Sequence, residues 1–272
     1  MDEPTIAQLA HLNYQEFCRL LTRWSGSAGR LDEHDGLMCW ATATDFAVKL
    51  NGASRTDPGL AADEALRRVG AWFGELGRAP GSGGIGRGFT LDVRTGYDDD
   101  LDAAAEAARL IPVLESPQMV CAAPLADPRA RSDIDVAWVD DVAGVREFVA
   151  INDDAYQSLG MPAGVISDSV RAPDRMLEPH LMLVVARVGG RPAAAALAFL
   201  SHGVGGVHYV GVRDFARGQG LGELVTRLVT NRAFERGAAF VGLQASSMGE
   251  SIYRRMGYRE IYRYRSYVDF AT

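Results

Sequence analysis

At 272 residues, with 47% hydrophobic and 23% charged side chains and a formal net charge of −7, the chain is long enough for two soluble globular domains of roughly 120 to 150 residues each. It has no apolar run approaching the roughly 18 residues of a membrane span, and "MDEPTIAQLAHLNYQEF" opens on acids instead of a basic stretch followed by an apolar one; neither a membrane nor a secretory leader is expected, and the location expected is cytoplasmic. Residues 1–125 hold 11 basic and 18 acidic side chains while the remainder holds 17 of each, a balance that argues against nucleic acid as a partner because phosphate binding wants clustered Lys and Arg.

In chain order, Ile6, Leu9, Ala10, Phe17, Leu20, Leu21 and Trp24 recur near helical spacing and predict a helix over 5–24, ended by "SGSAGR". "GLMCWATATDFAVKL" reads as strand material and "NGASRTDPG" as turn chemistry, together a hairpin-like pair. A helix follows from Asp63, with Leu66, Val69, Trp72, Phe73 and Leu76 on one face; then come a strand in "GFTLDV" and a helix over 98–110. "PLADPRARSD" (124–133), rich in proline and poor in apolar residues, marks the domain boundary, so the domains expected are 1–125 and 126–272. Cys18, Cys39 and Cys121 have no CxxC spacing and read as buried free thiols, with no metal site.

The second half repeats the order. "DIDVAWVDD" is a strand, 144–158 a helix, and "LMLVVARVGGRPAAAALAFLS" two strands about a Gly-Gly turn. "GGVHYVGV" is the next strand. A helix over 220–237, burying Leu221, Leu224, Val225, Leu228 and Phe234, stops at Gly237. "AAFVGLQA" is again a strand, Ser247 and Glu250 form a capping box for a helix over 248–256, and "YREIYRYRSYVDF" closes the chain as strand. The shared order suggests an ancient duplication.

Two glycine patterns compete. "GSGGIG" at 81–86 matches GxGxxG formally, yet a helix ends before it and a strand follows, the reverse of the dinucleotide fingerprint; it reads as a mobile loop. "RGQGLG" (217–222) follows a strand and opens a helix, so the unpaired N–H groups of the first turn and the helix dipole favour an anion there, and Gly218, Gly220 and Gly222 remove side chains that would hold a phosphate away. An ordinary turn or a close helix and strand contact is the alternative. An ATP-binding loop is disfavoured because no Lys-Ser/Thr or metal-binding carboxylate follows at the spacing such sites use.

Arg217, Gly220 and Gly222 in "RGQGLG" match the R/Q-x-x-G-x-G/A motif of the GNAT (Gcn5-related N-acetyltransferase) superfamily, and "LQASSMGESIYRRMGYRE" resembles that family's strand, helix and terminal "YxxxGF" segment. The resemblance covers about residues 133–268. It implies an α/β (α+β) fold, and the first half resembles a degenerate GNAT-like domain of a tandem acetyltransferase: two domains, each a mixed, mostly antiparallel sheet flanked by helices. It also implies acetyl-CoA as co-substrate, its pyrophosphate held by the backbone of Arg217, Gly218, Gln219, Gly220, Leu221 and Gly222, and its pantetheine arm by the strand Val210, Gly211 and Val212. In the first half, Asp57, Pro58 and Asp63 stand where a cradle would be, so one cofactor site per chain is expected, with the first half shaping the substrate cleft or an oligomer interface such as that of a homodimer.

Under the same resemblance Tyr253 corresponds to the tyrosine that protonates the CoA thiolate, with Tyr258, Tyr262, Tyr264 and Tyr267 as alternatives. Strand N–H groups ending at Val212 would stabilise the oxyanion. The general base stays open between His208, whose ordinary pKa suits the task, Asp153, Asp154, Glu250 and bulk water. Ser246 stands where the family often has an asparagine that contacts the pantetheine or an ordered water. Arg254, Arg255, Arg259, Arg263 and Arg265 read as a solvated face, or one of them as a contact to the 3′-phosphate of CoA. The expected function is acetyl-CoA-dependent N-acetylation of a small amine or a peptide N-terminus, cationic acceptors being favoured by the acidic first half; the alternative is a non-catalytic acyl-CoA-binding regulatory module.

Overall fold

The computed structural model describes residues 1–77, 88–127 and 132–269. In chain order its elements are α1 (Glu3–Trp24), β1 (Arg30–His34), β2 (Leu37–Ala41), β3 (Gly52–Arg55), α2 (Ala62–Glu75), β4 (Thr90–Arg94), α3 (Asp99–Ala107), β5 (Ile111–Cys121), β6 (Ile134–Trp138), α4 (Val142–Tyr156), α5 (Val165–Ser169), β7 (Leu181–Val188), β8 (Arg191–Ser201), β9 (Val204–Val212), α6 (Leu221–Glu235), β10 (Val241–Gln244), α7 (Glu250–Met256) and β11 (Arg259–Val268). None of these helices is long and apolar enough to cross a membrane. The expected loop at 81–86 lies outside the described residues.

The chain divides into two compact units, one of residues 1–17 and 118–261, the other of 18–117 and 262–272. This differs from a single cut at 125/126. Ala10 of α1 and Val120 of β5 are buried in one cluster with Val204 and Phe240, whereas Tyr267 of β11 is buried with Leu91, Val93 and Leu101. The proline-rich signal at 124–133 marks a connection inside the first-named unit; burial, not loop composition, decides where each strand is counted.

In the unit of 18–117 and 262–272, the strand order is β1, β2, β3, β4, β11, antiparallel throughout except for the parallel pair β3 and β4. The polar strand β1 was not legible as one, and β3 lies in "GASR", inside the stretch expected to be a turn; its four residues are all buried. Small side chains are what the site demands: a Cβ on Gly52 would approach the Trp40 ring to 2.7 Å and the Thr90 carbonyl oxygen to 2.5 Å. All three cysteines are buried, and none is in a disulfide among the described residues.

In the unit of 1–17 and 118–261, the order is β5, β10, β9, β8, β7, β6, with β10 and β9 parallel and every other pair antiparallel. Two consecutive glycines on β9 admit a helix to each face. A Cβ on Gly205 would meet Ala233 of α6 at 2.9 Å, and one on Gly206 would meet the Asn13 side chain of α1 at 2.0 Å. Helix α6 buries Leu221 and Val225 as expected, but its buried face continues through Val229 and Ala233, with Leu224, Leu228 and Phe234 only partly buried beside it; it ends at Gly237 in the left-handed region. The segment 159–180 folds as α5 and a 3-10 turn at Pro173–Leu177, with Ile166 and Met176 buried.

Gly205→Ala is expected to destabilise the protein by about 1–3 kcal/mol, because its new methyl meets a methyl on a packed helix rather than a flexible side-chain end. Urea unfolding of the variant beside wild type measures it, and an unchanged midpoint would show that α6 gives way freely.

Candidate functional site

The site begins with an extra residue in β9. The β8 and β9 register runs Leu197 to His208 and then Ala195 to Gly211, a bulge at which Tyr209 adopts φ +52°. The surplus residue resets the alternation: Val207, Val210 and Val212 pack toward α6, while a Cβ on Gly211 would come within 2.5 Å of Asn152 Oδ1 and 3.1 Å of the Ala155 side chain on α4. Pairing between β9 and β10 ends at Val207 and Leu243. Strand β10 stops at Gln244 and β9 continues to Val212, so Val210, Gly211 and Val212 have no partner strand on that side among the described residues.

Beyond β9 a 3-10 turn (Asp214–Ala216) leads into residues 217–220 and α6. Gly218 and Gly220 adopt φ +73° and +77°, and nothing lies within 4 Å of where a Cβ on either would be. Gly220 caps the helix with no side-chain hydrogen bond. The first intrahelical donor here is Leu224 N, bonded to Gly220 O at 3.0 Å, so the N–H groups of Leu221, Gly222 and Glu223 have no acceptor within the helix. Among the chain's own groups this end fits an anion, and it fits a phosphate for two independent reasons: donors that point outward and glycines that leave the approach clear.

Arg217 is placed otherwise than a phosphate-binding side chain would be. Its guanidinium bonds Ala155 O at 3.3 Å and Ser158 Oγ at 2.6 Å and pairs with Asp214 at 3.0 Å, tying the loop to the C-terminal end of α4. Gln219 Nε2 donates to Phe215 O. What these two residues offer the loop is therefore backbone.

The counterpart loop in the other unit carries an acceptor of its own. Asp57 Oδ1 accepts the Gly59 N–H at 2.8 Å, and Thr56 N and Asp57 N both donate to Gly36 O. At the end of β3, Arg55 is 4% exposed and bonds Asp100 at 2.6 Å and Asp98 at 3.4 Å; Asp98 is also held by Arg94 at 2.8 Å. The unit carries its own carboxylate where the other leaves donors open.

Tyr253 lies on α7, its ring against Tyr258 at 6.0 Å between centroids and close over Gly249, whose Cβ would strike it at 2.7 Å. Burial pushes the phenol up to about 12, against a smaller opposite effect of its hydrogen bond with Thr226. Thr226 and Thr230, one turn apart on α6, face Tyr253 and Tyr258; Thr230 and Tyr258 share a hydrogen bond of 2.7 Å. The expected capping box is not formed: α7 starts at Glu250, and Ser246, not Ser247, closes the turn by accepting the Gly249 N–H at 3.2 Å. The Ser246 hydroxyl lies within half a turn of the residue over which Tyr253 sits.

His208 stacks face to face on Phe17, with 3.6 Å between centroids. The three carboxylates are engaged elsewhere. Asp153 accepts Gly164 N and Ile166 N at 2.7 and 2.9 Å, Asp154 pairs with Arg213 at 2.8 Å, and Glu250 with Arg254 at 2.8 Å. Arg254, Arg259, Arg263 and Arg265 are likewise paired with carboxylates; Arg255 is exposed and shows no partner among the described residues. Sequence reasoning missed Thr226, Asn152, Gln244 and the α1 residues Asn13 and Tyr14; only Thr226, four residues after Gly222 on the same helix face, left a periodic signal.

Residues 129–253 match the family model of an acetyltransferase (GNAT) domain. No curated protein matches the sequence. Among solved structures, a GCN5-related N-acetyltransferase from Kribbella flavida is similar at 22% identity over 94% of this chain and 95% of that one, with a TM-score of 0.69. A tandem GNAT protein from the clavulanic acid biosynthesis pathway follows at 15% identity, 89% and 83% coverage and a TM-score of 0.61, and a GCN5-related N-acetyltransferase from Sphaerobacter thermophilus at 18%, 86% and 76%, and 0.58. The chain thus has the fold of a GCN5-related acetyltransferase, including the tandem form. The stretch matched by that family model contains the bulged strand, the open helix end and Tyr253.

Burial also raises Tyr156, Tyr209 and Tyr258 above the ordinary tyrosine range. Folded pKa values above the unfolded value of about 10 mean that the unfolded state loses its protons first as pH rises, so their contribution is complete below about pH 10 and declines above it. Urea midpoints are expected to hold from pH 8 to 10 and to fall from 10 to 12, with a shallower fall in Tyr258→Phe; a flat profile to pH 12 would contradict the burial.

Proposed function

We propose that the protein is an acetyl-CoA-dependent N-acetyltransferase that acetylates a primary amine of a small molecule or peptide by direct transfer, with one cofactor site per chain. The observation that carries this reading is the uncapped, glycine-opened end of α6 directly after the unpartnered end of β9. The N–H groups from Gly218 to Gly222 would hold the pyrophosphate, and the open edge at Val210, Gly211 and Val212 the amides of the pantetheine arm. When bound, acetyl-CoA supplies an activated acetyl thioester, open to attack by a neutral amine with a thiolate as leaving group.

The chain's own residues do the rest. The bulge at Tyr209 turns the N–H groups of β9 out of ladder register, where they can meet an oxyanion. Tyr253, raised to about 12, keeps its proton at Oη throughout the neutral range and so has it to give to a departing sulfur. His208, the first β9 residue beyond the last β10 pair, is the group at the parting of the strands able to take a proton from the incoming amine.

Gly220→Glu tests the cradle. Its side chain enters open space, at a cost of about 1–2 kcal/mol for a residue other than glycine at φ +77°, and a carboxylate replaces the anion the donors would hold. Acetyl-CoA is expected to raise the Tm of wild type with concentration and to leave that of Gly220→Glu unmoved; no shift in a folded wild type would remove the basis of the reading. Tyr253→Phe is expected to keep the acetyl-CoA shift and to lower kcat about 10²- to 10⁴-fold in a thiol-release assay, the usual contribution of a positioned acid; full turnover would take the acid role from it.

A further inference from the structure

A small cavity of about 10 Å³ lies beside the parting of β9 and β10, lined by Asn13 and Tyr14 of α1, Gln118 of β5, Gly205 and His208 of β9, and Gly242 to Gln244 of β10. A space of this size takes one water-sized group. Its chemistry is unusual in two respects. None of its lining residues is an acid, a lysine or an arginine, and the polar ones are three amides, a phenol and an imidazole. Moreover, Gln244 Nε2 is buried and has no hydrogen-bond partner among the described residues. A buried donor left without an acceptor is a cost the fold carries unless something else supplies the acceptor.

We propose that this cavity is the acceptor end of the transferase site and that it receives an uncharged hydroxyl borne next to the reacting amine, so that the substrate class is an amino alcohol and not an amino acid or a plain alkylamine; the proposal rests on the N-acetyltransferase reading. A hydroxyl oxygen accepts from Gln244 Nε2, and its hydrogen finds amide oxygens in the same lining. A carboxylate would enter without a cation to meet it, and a methyl group would leave the donor unsatisfied, the situation in which a site rejects an analogue strongly. The amine on the adjacent carbons then points toward His208 and the open edge at Val210. The acidic balance of the first part of the chain favours cationic acceptors only as a field, since no carboxylate lines the cavity itself.

Three amines of similar size decide it: ethanolamine, its near-isostere propylamine, and glycine, each assayed by thiol release with saturating acetyl-CoA on wild type and Gln244→Leu. The expected result is a kcat/KM for ethanolamine at least tenfold above the other two in wild type, and loss of its lead over propylamine in Gln244→Leu through a raised KM. The variant should retain both the acetyl-CoA shift in Tm and a Tm no lower than that of wild type, because Leu removes an unpaired donor. Equal or better use of propylamine or glycine overturns the proposal, as does an ethanolamine preference that survives Gln244→Leu. Acetyl-CoA binding with none of the three acetylated also overturns it while leaving the cradle standing, whereas absence of acetyl-CoA binding overturns the reading on which it rests.

Discussion

One surplus residue in β9 organises the unit of residues 1–17 and 118–261. An uninterrupted strand would keep a single alternation and a continuous ladder with both neighbours. The bulge at Tyr209 breaks that rule once. Side chains before it and after it change faces, so Gly211 comes under α4 and Val212 under the first turn of α6, and the last residues of β9 run on where β10 has already stopped. The opened edge, the direction in which the loop leaves the strand and the place at which α6 starts all follow from it.

The two units show how little separates an open loop from a closed one. Both pair two parallel strands across a helix and both begin that helix after a glycine-bearing loop. In one, Gly218 and Gly220 take left-handed conformations with empty space around them; in the other, Asp57 bends back onto the Gly59 N–H and Arg55 is locked among Asp98 and Asp100. A carboxylate on the loop itself takes a loop N–H and opposes the approach of a phosphate. Asp57 on the loop, with Asp63 and Glu64 in the first turn of α2, thus distinguishes the two loops electrically.

Much of this was legible in the sequence where local chemistry decides it. The Gly-Gly turn at 189–190, the stop of α6 at Gly237 and of α7 at Gly257, and the strand-to-helix position of "RGQGLG" are fixed by glycine conformation and hydrophobic period. The strand β3 was misread because "GASR" is short and small-residued, and only the nearness of Trp40 and Thr90 explains it. Ser247 matched a capping pattern that Ser246 performs one residue earlier. Arg217 fitted the motif, yet its side chain follows a tertiary contact with Ser158, 59 residues away in sequence. Gln244 and Asn13 left no signal at all, since an isolated amide on a strand end or a helix gains meaning only from what it faces.

Helix α1 has a consequence for the order of synthesis. Residues 1–17 leave the ribosome well before the strands they pack against, which begin at residue 118, so about a hundred residues must follow before this apolar face finds its place. At roughly 5–20 residues per second that is an interval of several seconds or more. The other unit likewise waits for β11, whose Tyr267 is buried with Leu91, Val93 and Leu101. Each unit thus waits on residues far along the chain, and Ile6, Leu9 and Ala10 pass that time as an apolar stripe without the strands that cover it, a natural target for chaperones that shield such surfaces.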